Sequence, residues 1–369
     1  MPWFGTQLVN GNSLIGARRQ VYRIDNAQST SKGMRWYEME PERLPFGTAR
    51  ADKGYKFGRK QIYHFLLGDP GMCSYSDKVI KSLEPDKIKE MVKWNKKFTE
   101  PITDDDVITL LRLSAAIDEL WEAQIRLRKE VGAKTQDTLS IFGHTDDAVD
   151  SHTTIRQKDK IYSELYKSEH MRNAGPYARL KFAMDYWCAL WFWPIDKADL
   201  LPTRSEFLFD MSLILEGTMA SVNVTDSVKD GQLSLFPTEM EQMALDIIDT
   251  YGTDTIVDIP RLRQENPRLD LAARIAEQNK FMHWELEFAD LFAEHGGFDL
   301  VVGNPPWILL GWKDANILCE YNPVMAIKSL SKHQVSNKRD DMLAKEKVIF
   351  RLNYIWRGVC ARLCMKKRV

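Results

Sequence analysis

Cysteine is scarce, with five in 369 residues (Cys73, Cys188, Cys319, Cys360 and Cys364) and no Cys-x-x-Cys pair among them. That excludes a disulfide framework and a zinc knuckle, and it fits a reducing compartment. No apolar run approaches the ~18 residues needed to cross a bilayer; the densest, Tyr186 to Ile195, is too short. The opening MPWFGTQLVNG has no basic region leading into an apolar one, so a soluble, cytoplasmic protein with no membrane partner is expected. An excess of charge is missing too. Lys plus Arg total 51 against 52 Asp plus Glu, a formal net charge of -1, which excludes a polycation that holds nucleic acid by bulk charge but leaves room for a local basic face. There is no Gly-x-Ser-x-Gly elbow and no Glu-x-Lys pair, so neither an esterase-type nucleophile nor a nuclease of the Glu-x-Lys kind is expected. His64, His144, His152 and His283 have no partner carboxylate or thiol at a metal-binding spacing, so no metal site is expected. His283 reads as a packed or capping histidine rather than a general base.

What is present is an ordinary globular composition, 44% apolar and 28% charged, rich in rings: 11 Trp, 12 Tyr and 16 Phe. The length suits two or three domains of ~150 residues. Gln7-Leu8-Val9 reads as a short strand entering a turn at Asn10-Gly11-Asn12-Ser13. Residues 18 to 60 carry a local excess of Lys and Arg and are interrupted by Pro41, Pro45 and Gly47, so irregular structure is expected. A helix should start at the cap Thr103, gain from Asp104, Asp105 and Asp106 in its first turn, and stop at Gly132. Further helices are expected over 154–173, 176–193, 237–250 and 269–292. The second of these carries Leu180, Met184, Trp187 and Trp191 on one face, and a buried helix packing its rings is favoured there over a base-stacking surface. Phe298-Asp299-Leu300-Val301-Val302, stopped by Gly303 and two prolines, reads as a buried parallel strand that delivers a loop. Two strands so far apart imply a helical domain inserted between neighbours in one sheet.

That loop, Gly303-Asn304-Pro305-Pro306-Trp307, falls where ligands bind in open α/β sheets, beyond the carboxyl end of a strand. Asn304 offers a side-chain carbonyl. Pro305 offers a backbone carbonyl held in a restricted conformation by the following Pro306, and Trp307 offers a flat ring. Two fixed acceptors and an aromatic plate suit a planar base with an exocyclic amine. The N6 lone pair of adenine is delocalised into its ring; acceptors that bind both N–H groups off the ring plane would free it for attack by preorganised electrostatics. The base must leave the duplex and stack to be reached, a task suited to Trp307.

HWELEFADLFAEHGGFDLVVGNPPW (residues 283–307) resembles the segment leading into the catalytic motif of bacterial N6-adenine DNA methyltransferases. The likeness is strongest to the large enzymes of type IIG restriction–modification and phage defence. LVNGNSLIGARR near the start resembles the family's strand-three motif, and QIYHFLLGDPGM (61–72) its inserted region. The resemblance implies an α/β fold, a partial Rossmann-like methyltransferase sheet interrupted by a large, mainly α-helical insertion. It implies S-adenosylmethionine as cofactor, with Asn12 near its adenine ring. It also implies double-stranded DNA with a flipped adenine as substrate, and Asn304, Pro305, Pro306 and Trp307 as catalytic residues.

The chain departs from the family in lacking the glycine-rich Asp-Pro loop after strand one and the acidic residue after strand two. Only ten residues precede Gly11, and some 60 follow the loop. The expectation is therefore a fragment of a larger enzyme, inactive alone, whose partner is the missing remainder. Its parts would be a core strand and cofactor-side turn (1–17), the insertion (18–280), core with catalytic loop (281–327) and a basic tail (328–369). The tail reads as a phosphate-contacting surface, a solvated helix or residues beyond a frameshift. A non-catalytic DNA-binding or assembly piece of a defence complex, or a decayed gene product, is the competing reading. Methylation of RNA or of a protein glutamine is a third, disfavoured by the long insertion and the HWELEF lead-in.

Overall fold

Helix caps and apolar stripes set most of the architecture in the computed structural model, which describes residues 3–44, 60–75, 81, 83–136, 154–217, 257–303, 334 and 339. In chain order the elements are β1 (Gln20–Arg23), α1 (Ile24–Gln28), β2 (Glu42–Arg43), β3 (Gln61–Tyr63), α2 (Pro85–Phe98), α3 (Asp104–Thr135), α4 (Ile155–Leu165), α5 (Glu169–Ala174), α6 (Pro176–Ala189), α7 (Arg204–Leu215), α8 (Ile259–Glu265), α9 (Pro267–Asn279), α10 (Trp284–Glu287) and α11 (Ala289–His295), with short 3-10 turns at Trp36–Glu38, His64–Leu66 and Ile195–Leu200. The described residues are mainly helical. None of their helices is long and apolar enough to cross a membrane.

The chain divides into two units. The first comprises Met1–Met72, Trp94–Trp191 and Leu200–Asp299, and the second Cys73–Lys93, Phe192–Asp199 and Leu300–Val369. Within the first unit α6 is the central helix, packed by α3, α5, α7 and α9. It begins at Pro176, whose missing N–H costs nothing in a first turn, and it buries Leu180, Phe182, Ala183, Met184 and Tyr186. The buried-helix reading therefore holds for most of this element. Trp187 is half-buried and donates through Nε1 to the carbonyl of Leu67 at 2.8 Å. In the second unit, the Tyr75 hydroxyl donates to the carbonyl of Trp193, and Trp193 Nε1 donates to that of Lys197 at 2.8 Å.

α3 starts as its sequence dictates. The Thr103 hydroxyl accepts from Asp106 N, and the Asp106 carboxylate accepts from Thr103 N. It does not stop at Gly132 but runs to Thr135. Val131 and Thr135 are buried on the packed face, and the Thr135 hydroxyl returns to the carbonyl of Val131 at 2.7 Å, so burial outweighs the weak propensity of one glycine. The helix expected over 154–173 is two, because Ser168 starts a new one by accepting from Met171 N. That expected over 269–292 is three, with Lys280 in the left-handed conformation between α9 and the approach to α10. The span 237–250 lies outside the described residues.

The sheet corrects the expected layout most. It has three strands in the order β2-β1-β3, both pairs antiparallel, with Val21 opposite Glu42 and Tyr63. It lies in the region expected to be irregular and helical. The parallel Rossmann-like sheet is not found among the described residues. The strand expected at Gln7-Leu8-Val9 is not formed: residues 5–7 make a turn and residues 8–10 have no regular structure. Residues 298–302 are not a strand either, and Leu300, Val301 and Val302 are 77%, 71% and 85% exposed. An apolar run becomes a buried strand only when neighbours accept its backbone groups, and no described segment pairs with this one. Asn12 and Phe281 form a parallel bridge, bringing together the two ends of the intervening helical region.

Candidate functional site: the lead-in to the Gly303–Trp307 loop

The approach to the loop is clamped to the N-terminal segment by a ladder of hydrogen bonds. Asn12 N donates to the carbonyl of Lys280 at 2.6 Å, and Met282 N to that of Ile15 at 2.9 Å. Ala17 N then donates to His283 Nδ1 at 2.9 Å, and Arg19 N to a carboxylate oxygen of Glu285. Gly16 permits this approach: a Cβ on it would stand 2.0 Å from the carbonyl oxygen of Met282.

His283 is fully buried. Because Nδ1 accepts from Ala17 N, the ring proton sits on Nε2, which donates to Asp185 Oδ1 at 2.9 Å. Both ring nitrogens are spent on structure, so the residue is a packed histidine, as its sequence context suggested, with no lone pair for a general base. The other Asp185 oxygen takes Lys181 Nζ at 2.6 Å. Glu287 accepts from the Tyr177 hydroxyl at 2.7 Å, and Trp284 Nε1 donates to the carbonyl of Ser13 at 3.0 Å. The acidic residues of HWELEF are thus fastenings, and each finds its donor on a different element.

α11 is held in the same way. Arg128 of α3 pairs with Asp290 at 2.6 Å. Arg43, beyond β1 in the sheet, donates to the carbonyl of Gly296 at 3.0 Å and lies 3.5 Å from Glu285. Gly296, at φ +75°, closes α11 as a left-handed cap. Phe298 then packs edge-on against Trp284, Phe288 and Phe292 at centroid distances of 5.8, 5.3 and 5.6 Å. The chain is therefore anchored up to Phe298.

Asn304, Pro305, Pro306 and Trp307 lie outside the described residues, as do His144, His152, Cys319, Cys360, Cys364 and the basic tail. Asn12 is half-buried; its Oδ1 accepts from Leu14 N at 3.2 Å and closes the turn. Its Nδ2 donors have no partner among the described residues, which leaves the amide with donor capacity to spare. His64, by contrast, is enclosed: Nε2 lies 3.1 Å from Arg18 N and 2.8 Å from Arg18 O, and burial lowers its pKa to about 4.

Sequence reasoning missed a second feature of this unit, a cavity of about 320 Å³. Tyr162, Tyr166 and Tyr177 line it together with Lys181 and Asp185. The tyrosines were visible in the sequence, and Tyr162 and Tyr166 are one turn apart at the end of α4, but Tyr177 belongs to α6, whose approach no spacing encodes.

Residues 178–342 match the family model of the Eco57I restriction-modification methylase. No curated protein and no solved structure matches the chain. The match supports a restriction–modification methyltransferase.

Proposed function

We propose that the chain carries the target-base loop of a restriction–modification DNA methyltransferase that acts on N6 of adenine. The observation that carries this reading is the fastening of residues 280–298 at the entrance to an Asn-Pro-Pro-Trp loop, inside the span that matches a restriction-modification methylase. A preorganised reaction needs its acceptors held still before substrate arrives. His283, Glu285, Glu287 and Asp290 hold the lead-in through buried or half-buried partners on the N-terminal segment, α6 and α3.

On this reading Asn304 Oδ1 and the Pro305 carbonyl accept the two N6–H groups and pyramidalise the nitrogen. Pro306 restricts Pro305, and Trp307 stacks on the extruded base. S-adenosylmethionine, the cofactor general to such enzymes, would supply the electrophilic methyl group. Asn12, with spare amide donors at the end of the ladder, is the residue here that would meet its adenine ring. No Gly-x-Gly-x-x-Gly cluster occurs in the chain, so we infer that a segment outside it supplies most of the cofactor contacts, and that Leu300–Val302 joins a sheet on assembly with it. A non-catalytic assembly role is the alternative. Neither reading assigns the chain a membrane or a metal.

The test is transfer of labelled methyl from S-adenosylmethionine to duplex DNA by the chain assembled with that segment. Activity on adenine that disappears in Asn304→Ala supports the reading. Full activity of Asn304→Ala would falsify it.

A further inference from the structure

The cavity beside α6 shares Tyr177 and Asp185 with the fastenings of the loop's approach, but the rest of its lining is its own. At about 320 Å³ it is at the lower end of the ~300–1,000 Å³ range of small-molecule sites. Tyr162 and Tyr166 stack at 5.4 Å with an interplanar angle of 14°, and Tyr166 meets Tyr177 at 5.7 Å. Burial raises the Tyr166 phenol to about 12, and burial with neighbouring Glu287 pushes Tyr177 well above its ordinary value. Both phenols are therefore neutral; the Tyr166 oxygen accepts from Gln124 Nε2, and the Tyr177 hydroxyl donates to Glu287.

Three cations line the same space. Lys167 is exposed, with Nζ 4.9 Å from the Tyr162 ring centroid. Arg172 is exposed and has no ion-pair partner among the described residues. Lys181 is paired with Asp185. The Asp185 carboxylate has roughly four lone-pair sites, of which His283 and Lys181 take two. An aromatic enclosure, two cations at its edge with no ion-pair partner among the described residues, and a carboxylate with acceptor capacity select a flat ring that carries N–H donors and an attached anion.

We propose that this cavity binds one nucleotide whose base carries an exocyclic amine, its ring among the tyrosines and its phosphate on Lys167 and Arg172. The nucleotide could come from the free pool or from an unstacked DNA strand, since the chemistry read by the cavity is the same. This does not rest on the assignment of Asn304–Trp307, because it is argued from Tyr162, Tyr166, Tyr177, Lys167, Arg172 and Asp185 alone.

Calorimetric titration of the full chain with dAMP, adenosine, inorganic phosphate and a short single-stranded oligo-dA tests it. Sub-millimolar binding of dAMP or of the oligonucleotide is expected, with adenosine and phosphate each weaker. Losing two charge-assisted contacts in Lys167→Glu with Arg172→Glu should weaken binding by about tenfold or more. Ala178→Trp, which fills the cavity from α6, should abolish it, with the helical circular dichroism spectrum checked for both variants. Binding of dAMP assigns the free nucleotide as source, and binding of the oligonucleotide alone assigns the strand. If Ala178→Trp does not fold, the surface charge pair decides. No binding of either ligand at millimolar concentration, or binding that the charge reversal leaves unchanged, overturns the proposal.

Discussion

His64 shows how one side chain ties stability to pH. Buried between α6 and the N-terminal segment, edge-on to Trp187 at 4.9 Å, it has its pKa lowered from 6.5 to about 4. The unfolded chain takes up a proton below pH 6.5 while the folded one does not, so this stabilisation is complete above 6.5 and is lost as pH falls toward 4. At about 1.4 kcal/mol per unit, the loss is of the order of 3 kcal/mol. The urea midpoint should fall across that window, and His64→Gln should flatten the fall; an unchanged slope would show that another group carries it. At the proposed catalytic loop, removing one preorganised acceptor by Asn304→Ala should cost ~10²- to 10³-fold in turnover. Trp307→Ala should instead weaken base capture by about 1–3 kcal/mol, with Trp307→Phe milder. A duplex with an unpaired target adenine should partly rescue Trp307→Ala but not Asn304→Ala. Equal rescue of both would remove the distinction between stacking and activation. The residue types of this loop were legible because their chemistry is local. The Asp185–His283–Ala17 chain was not, since it joins three segments distant in sequence.

Among the elements, the ladder between residues 12–19 and 280–285 is the one most exposed to a single substitution. Gly16→Ala would drive a Cβ to 2.0 Å from the Met282 carbonyl oxygen, and relief of such overpacking typically costs ~1–3 kcal/mol. Gly132, inside α3, has nothing within 4 Å of an added Cβ, so Gly132→Ala should stabilise by roughly 0.5–1 kcal/mol. Thermal melts of the two variants should move in opposite directions; a shared direction would mean that the ladder is not under steric constraint. Helix starts were readable at this scale wherever a side chain caps its own turn. Thr103 was found that way, and the same Thr-x-x-Glu box at Thr203 and Glu206 marks α7, although the apolar pattern alone did not reveal it. α2 and α8 were likewise missed. Helix ends were less legible: burial around Gly132 carries α3 past its glycine, and Ser168 starts a new helix by a cap inside a span that reads as one.

For the whole molecule, the proposal that cofactor contacts come largely from outside the chain predicts weak binding of S-adenosylmethionine to the chain alone. Titration calorimetry giving a micromolar constant for the isolated 369 residues would contradict it. The mainly helical character, the burial of α6 and the capped start of α3 followed from the sequence by itself, because periodicity and caps act over three or four residues. The Asn-Pro-Pro-Trp string and the chemistry it suggests were also written there. Only the tertiary structure decided that the basic stretch forms an antiparallel sheet, that HWELEF is a set of fastenings, and that three tyrosines enclose a cavity. It also decided that Leu300–Val302 stands exposed. Strands of two to four residues have too few side chains to declare a period, and a strand's burial depends on neighbours that local sequence does not specify.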